Sequence, residues 1–179
     1  MKKYRFFSLL FIIISLVALG ANQPDAARTN AKLGLAYLEK GYYPQSKARL
    51  LSALRDDPHI ADGWYSMAYY LEKTGDTKSA EAYYRKALSV DPHSGEAKNN
   101  YGVFLCRMKR YQEALTYFAS AVKEPGYLDA ASAYQNAGTC ALKMHNTKLA
   151  KYYFHLALDN NPRMPFALLS LAKLARQDA

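Results

Sequence analysis

Cysteine occurs only twice in the 179-residue chain, and tryptophan once. Neither Cys106 nor Cys140 has a second cysteine or a histidine at metal-ligand spacing, and the four histidines do not cluster. The nine glycines form no phosphate-cradling loop. There is no nucleophile elbow, and the carboxylates are scattered singly rather than paired for acid–base work. Nothing argues for an enzyme or for a cofactor. Strand-like alternation is also missing, and no long loop interrupts the chain. Acidic residues are outnumbered, 15 Asp+Glu against 24 Lys+Arg, which gives a formal charge of +9. Long apolar runs are confined to one, residues 6–21.

That run follows Lys2, Lys3 and Arg5 and stops at Asn22-Gln23-Pro24-Asp25. A basic start, an apolar centre and the small residues Ala18 and Gly20 describe a secretory signal, with cleavage around Gly20 or Ala21. An uncleaved anchor is the alternative. Sixteen helical residues span about 24 Å, short of a hydrocarbon core of about 30 Å, which favours cleavage. Removing the three basic residues leaves +6, from 21 Lys+Arg against 15 Asp+Glu. Much of the excess lies late, in Lys143, Lys148, Lys151, Arg163, Lys173 and Arg176. An exported chain with dispersed basic residues points to solvated helix faces and away from nucleic acid.

What remains is a repeat. Gly34, Ala68 and Gly102 stand 34 residues apart, as do Ser46, Ala80 and Ala114; Leu50, Tyr84 and Phe118; and Ala53, Ala87 and Ala121. The fourth unit follows after 36, as Gly138, Ala150, Phe154 and Ala157. Apolar residues recur at helical steps within each unit, so each reads as two amphipathic helices. Small residues mark where the two cross, and the large ones fill the space beside them. Pro58, Pro92 and Pro162 end units, and Pro44 suits the first turn of a helix. The third unit ends in Pro125-Gly126, for which a slightly wider connector is expected. His59 and His93 mark a repeated turn, and His145 lies in the turn of the fourth unit.

Self-similarity at this period is the mark of the tetratricopeptide repeat. The expected fold is all-α, a right-handed superhelix of four repeats at 27–60, 61–94, 95–130 and 131–164. A signal (1–21) and a short linker (22–26) precede them, and a capping helix or half repeat (165–179) follows. Cys106 and Cys140 fall at the twelfth and tenth positions of consecutive first helices. They are therefore expected to point apart, as separate thiols.

The resemblance to tetratricopeptide proteins also implies a binding face, made by successive first helices. Its inward positions are Leu35 and Leu38; Tyr65, Ser66 and Tyr69; Asn99, Asn100 and Val103; Gln135, Asn136 and Thr139; and then Phe166, Leu169 and Ser170. Asn100 and Asn136 share one position in neighbouring repeats, where amides could hold a peptide backbone. Hydrated amides are the alternative. Exposed tyrosines there would anchor a protein partner, and ordinary packing is their alternative.

Two stretches narrow the likeness. Asn30-Ala31-Lys32-Leu33-Gly34-Leu35-Ala36-Tyr37-Leu38-Glu39-Lys40-Gly41 opens the first unit. Asn99-Asn100-Tyr101-Gly102-Val103-Phe104-Leu105-Cys106 opens the third, followed by Arg110-Tyr111-Gln112-Glu113-Ala114. With the exported start and long third connector, these resemble the type IV pilus biogenesis family PilF/PilW. That resemblance implies a periplasm-facing pilotin that helps an outer-membrane secretin localise and assemble, with a protein partner and no nucleic acid or small-molecule substrate. Two features depart from the family. Asn22 stands where members carry a lipidated cysteine, so no thioether-linked lipid is expected, and the repeats are fewer. An unrelated periplasmic scaffold for envelope or cytochrome assembly is the alternative function.

Overall fold

The computed structural model describes residues 22–177. Among them there are nine α-helices and no strand. They form antiparallel pairs: α1 (Pro24–Glu39) with α2 (Tyr43–Asp56), α3 (Ala61–Lys73) with α4 (Thr77–Val90), α5 (Gly95–Arg107) with α6 (Tyr111–Ala121), and α7 (Ala130–Lys143) with α8 (Thr147–Asn160). A final α9 (Pro165–Gln177) packs on α8. Successive first helices touch, α1 with α3, α3 with α5 and α5 with α7, while each second helix bridges to the next pair. The first helices therefore form the inner layer of a superhelical stack, and the second helices form the outer one.

The crossing within each pair follows from residue size. A Cβ placed on Gly102 would lie 2.8 Å from the Phe118 ring, and one on Gly138 would lie 2.7 Å from Phe154. Only hydrogen fits at these positions, which lets the backbones approach. Tyr84, Phe154 and Leu50 are fully buried in equivalent places. Each such side chain contributes roughly 1.5–3 kcal/mol on removal from water.

The turns inside the pairs are equally periodic. Gly41, Gly75, Lys109 and His145 all have positive φ, at 76°, 92°, 62° and 58°. After each, an amide reaches back five residues to close the preceding helix, as from Tyr42 to Tyr37 O, Asp76 to Leu71 O, Arg110 to Leu105 O and Asn146 to Ala141 O. This is the left-handed helix stop that glycine adopts without strain. His145 thus serves as a turn residue. The next helices are capped by Asp76, Ser94, Asp129 and Asn146, whose side-chain oxygens accept backbone N–H groups three residues on. Between units, Asp57, Asp91 and Asn161 each accept the amide two residues ahead, giving His59 and His93 their matching places.

One expectation fails. Cys106 and Cys140 are not separate thiols but form a disulfide, with Cα atoms 5.8 Å apart. Measured from Gly102 and Gly138, the cysteines sit four and two positions on. A two-position difference turns a side chain by roughly 200° around a helix. Opposite directions are what two side-by-side parallel helices need, because α5 must look forward and α7 backward for the sulfurs to meet. The 34-residue separation spans one repeat.

The connector after α6 is more than a spacer. Tyr127 is buried with Ala121 and Ala133, and its ring leaves no room for a side chain at Gly95. Glu124 reaches back to Lys98 and to His93 Nδ1. At the C-terminal end, Met164, Ala167 and Leu174 close a second core with Phe154, Ala131 and Ala141. The secretory signal lies outside the described residues. Among those residues, no helix is long and apolar enough to cross a membrane.

Candidate functional site

The inward positions of the first helices do not form one uniform row. Leu38 and Ser66 are buried between helices, and the Ser66 hydroxyl has no hydrogen-bond partner among the described residues. Leu35, Tyr65, Tyr69, Asn99, Asn100, Val103, Gln135, Asn136 and Thr139 are half-buried. On α9, Ser170 is buried, whereas Phe166 and Leu169 are about half exposed, at 49% and 55%. Phe166 meets Phe154 edge-on, with ring centroids 6.2 Å apart.

The amides pair differently from the repeat register. Asn136 Nδ2 donates to Asn99 Oδ1 at 3.1 Å, which ties α7 to α5, while Asn100 Nδ2 donates to the Glu96 carbonyl of its own helix at 2.8 Å. Each amide keeps unused donors and acceptors for another backbone. Thr139 Oγ1 is occupied by the Gln135 carbonyl at 2.9 Å.

The tyrosines stand in a charged setting. Tyr69 carries Lys73 Nζ at 5.3 Å and the Arg107 guanidinium at 5.6 Å from its ring centre. Beside it a cleft opens, lined by Leu38, Glu39, Gly41, Tyr43, Tyr69 and Lys73. Burial, followed by the charges of Asp62 and Glu96, pushes the Tyr65 phenol well above its ordinary range. It therefore remains a neutral O–H donor at physiological pH.

Two ionic groups tie the second and third repeats together. The side chain of Glu72, only 8% exposed, accepts from Arg107 Nη1 at 2.6 Å and from the Tyr84 hydroxyl at 3.3 Å. Glu81 accepts from Arg110 at 2.7 Å, Arg85 at 2.8 Å and the Tyr101 hydroxyl at 3.0 Å. The Arg110 hydrogen bond, opposed by partial burial and helped by Arg85 and Tyr101, lowers the Glu81 carboxyl to about 2. Sequence reasoning missed both groups. The available signal was an acid and a base 35 residues apart at the ends of adjacent first helices. No group of acidic, histidine or cysteine side chains among the described residues could hold a metal.

A stack of helix pairs with first helices inside, crossing at small residues and turning at left-handed positions, defines the class. The chain belongs to the tetratricopeptide repeat family, whose model matches residues 31–89 and 65–129. Within that class it is homologous to the type IV pilus assembly protein PilF of Pseudomonas aeruginosa. The two are 36% identical over 150 residues, which cover 84% of this chain and 60% of that protein. The solved structure of Pseudomonas aeruginosa PilF superposes with a TM-score of 0.77 at 35% identity, covering 87% of this chain and 70% of that one. The structure of PilW, a widely conserved type IV pilus biogenesis factor, superposes with a TM-score of 0.76 at 32% identity, covering 88% and 71%. The chain thus spans about three fifths of the length of the curated Pseudomonas relative.

Proposed function

We propose that this protein is a non-enzymatic adaptor in type IV pilus biogenesis, working in the cell envelope by holding a segment of an assembly partner on its inner face. The carrying observation is the extended likeness to PilF and PilW, which covers nearly all of the described residues. The inner face supplies the means. Asn99, Asn100 and Asn136 offer amide groups to a peptide backbone, and Tyr65 and Tyr69 offer apolar area that ends in hydroxyls. The partner assigned to it is the outer-membrane secretin of the pilus, met on the periplasmic side.

The test is capture of the secretin from an envelope fraction by wild type and by an Asn100→Ala, Asn136→Ala variant. Loss of hydrogen-bonding groups at a desolvated contact weakens binding by about 1–3 kcal/mol, or up to roughly a hundredfold. Helix content should stay as in wild type, and melting should fall only by the small amount due to the lost Asn136–Asn99 bond. Equal capture by the variant would remove the inner face as the site, and failure of wild type to capture a secretin would remove the partner.

A further inference from the structure

Tyr65 and Tyr69 stand one helical turn apart on α3, about 6 Å along its axis, and their surroundings carry opposite charge. Burial, and then the charges of Asp62 and Glu96, holds the Tyr65 phenol above its ordinary range. Arg28, itself paired with Asp25 at 3.7 Å, opposes them least of all. Tyr69 instead lies under two cations, with Lys73 Nζ at 5.3 Å and the Arg107 guanidinium at 5.6 Å from its ring centre. The charges of α3 and α5 thus sort by end: Asp62 and Glu96 in the first turns, Lys73 and Arg107 at the last residues. The other two charged side chains of these helices are engaged, Glu72 with Arg107 and Lys98 with Glu124. Helix dipoles favour such sorting on every helix. The outer α4 and α8 nevertheless carry Lys78 and Lys148 in their first turns, so the dipole does not account for where the sorting occurs.

The two tyrosines lie in the middle of the stack, with a further helix pair on either side of α3–α6. Among the described residues, Asp62, Glu96 and Lys73 form no ion pair, and Glu96 and Lys73 are exposed. Lys73 and Glu39 are the charged walls of the cleft beside Tyr69 and do not pair with each other. We infer that the inner face selects a partner segment bearing one basic and one acidic side chain two residues apart in an extended strand, the base beside Tyr65 and the acid beside Tyr69. This rests on the inner face being the binding surface. Alternate residues of a strand share a side and stand about 6.6 Å apart, which matches the spacing of the tyrosines. The base meets Asp62 and Glu96 at the Tyr65 ring, and the acid meets Lys73 and Arg107 at the Tyr69 ring, with Glu39 keeping it from the far wall. A segment with two charges of one sign sets a like charge against one of the two tyrosine sites and is disfavoured.

The probes are short fluorescent peptides in one threonine-rich, strand-forming frame. They differ only at two positions two residues apart, which carry Lys and Glu, Lys and Lys, or Glu and Glu. At low salt the mixed peptide should bind the full chain about tenfold or more tightly than either same-sign peptide, and salt should level the three. Charge reversal in the protein should then move the preference. Lys73→Glu should make the Lys,Lys peptide the tightest ligand, and Glu96→Lys should weaken the mixed peptide several-fold and narrow its lead over Glu,Glu. Both residues are exposed, so circular dichroism and melting temperature should stay as in wild type. A gain of the Lys,Lys peptide by Lys73→Glu is a change that loss of structure cannot imitate. A wild-type preference for either same-sign peptide, no binding of the mixed peptide, or an order that ignores Lys73 and Glu96 overturns the inference and leaves the inner face to the secretin-capture test. An order that follows the two residues while wild type captures no secretin supports the inference and removes that partner alone.

Discussion

The junction between the second and third repeats and the junction between the third and fourth solve one packing problem with different chemistry. The earlier one is fastened by side chains that meet through hydrogen bonds and rings. Glu72 holds Arg107, Glu81 holds Arg110 and Tyr101, and Tyr84, Tyr101 and Phe104 stack with centroids 5.1–6.1 Å apart. The later one is fastened by a covalent bond between Cys106 and Cys140, by the Asn136–Asn99 amide pair and by Tyr127 folded against Gly95. An identical backbone arrangement therefore does not imply an identical dependence on conditions. The polar junction answers to pH, and the covalent one answers to reductant.

Phe118 sits in the core that spans both junctions, at 2% exposure, alongside Tyr84, Cys106 and Cys140. Phe118→Ala should cost about 3–5 kcal/mol, and a denaturant titration checks it. Phe154→Ala, in the smaller C-terminal core, should fall at the lower end of that range. The reverse order would mean that the two junctions do not share a core. Next in size is the disulfide. A Cys106→Ser, Cys140→Ser variant should lose about 3–4 kcal/mol on the chain-entropy account of a closed 34-residue loop. Wild type under reductant should match it, and equal midpoints with and without reductant would mean the bond contributes nothing.

The polar junction is tested by acid. The Glu81 carboxyl is lowered from 4.5 to about 2, so its contribution is fully present above pH 4.5 and is lost as the pH falls towards about 2. Melting temperature should decline across that window, and the Glu81→Gln variant should decline less steeply. Matching slopes would show that the contact is too solvated to matter. The smallest effect is a gain. Lys109 holds the left-handed turn at φ 62°, where its repeat equivalents Gly41 and Gly75 carry no Cβ. Lys109→Gly should stabilise by about 0.5–1 kcal/mol, the relief of the left-handed backbone less the added freedom of the unfolded chain, and thermal melts will read it.

Much of the fold was legible because it depends on residues at one fixed spacing. The Gly102–Phe118 and Gly138–Phe154 crossings, the turns and the breaks at Pro58 and Pro92 are local features of each repeat. Contacts between repeats were harder to read because they do not follow the period. Glu72 and Arg107 are 35 apart, Asn99 and Asn136 are 37 apart, and the cysteines differ by two positions within their helices. A contact between neighbouring helices joins opposite faces, so equivalent positions are the ones that do not meet. The same geometry separates the inner face by residue. Tyr65, Tyr69 and the asparagines stay partly open, while Leu38 and Ser66 turn into the gap between helices.

The sulfur bridge also changes how the array comes apart. A stack of repeats behaves as a row of units coupled only to their neighbours, and it can lose units one at a time from either end. Linking α5 to α7 welds two of those units into one. Amides of the third and fourth repeats should then open together in hydrogen exchange, at one shared free energy. The first repeat, which has no such weld, should open earlier and alone. Reduction would restore a graded sequence of openings along the whole stack, so the thiol state decides whether the C-terminal half unravels stepwise or all at once.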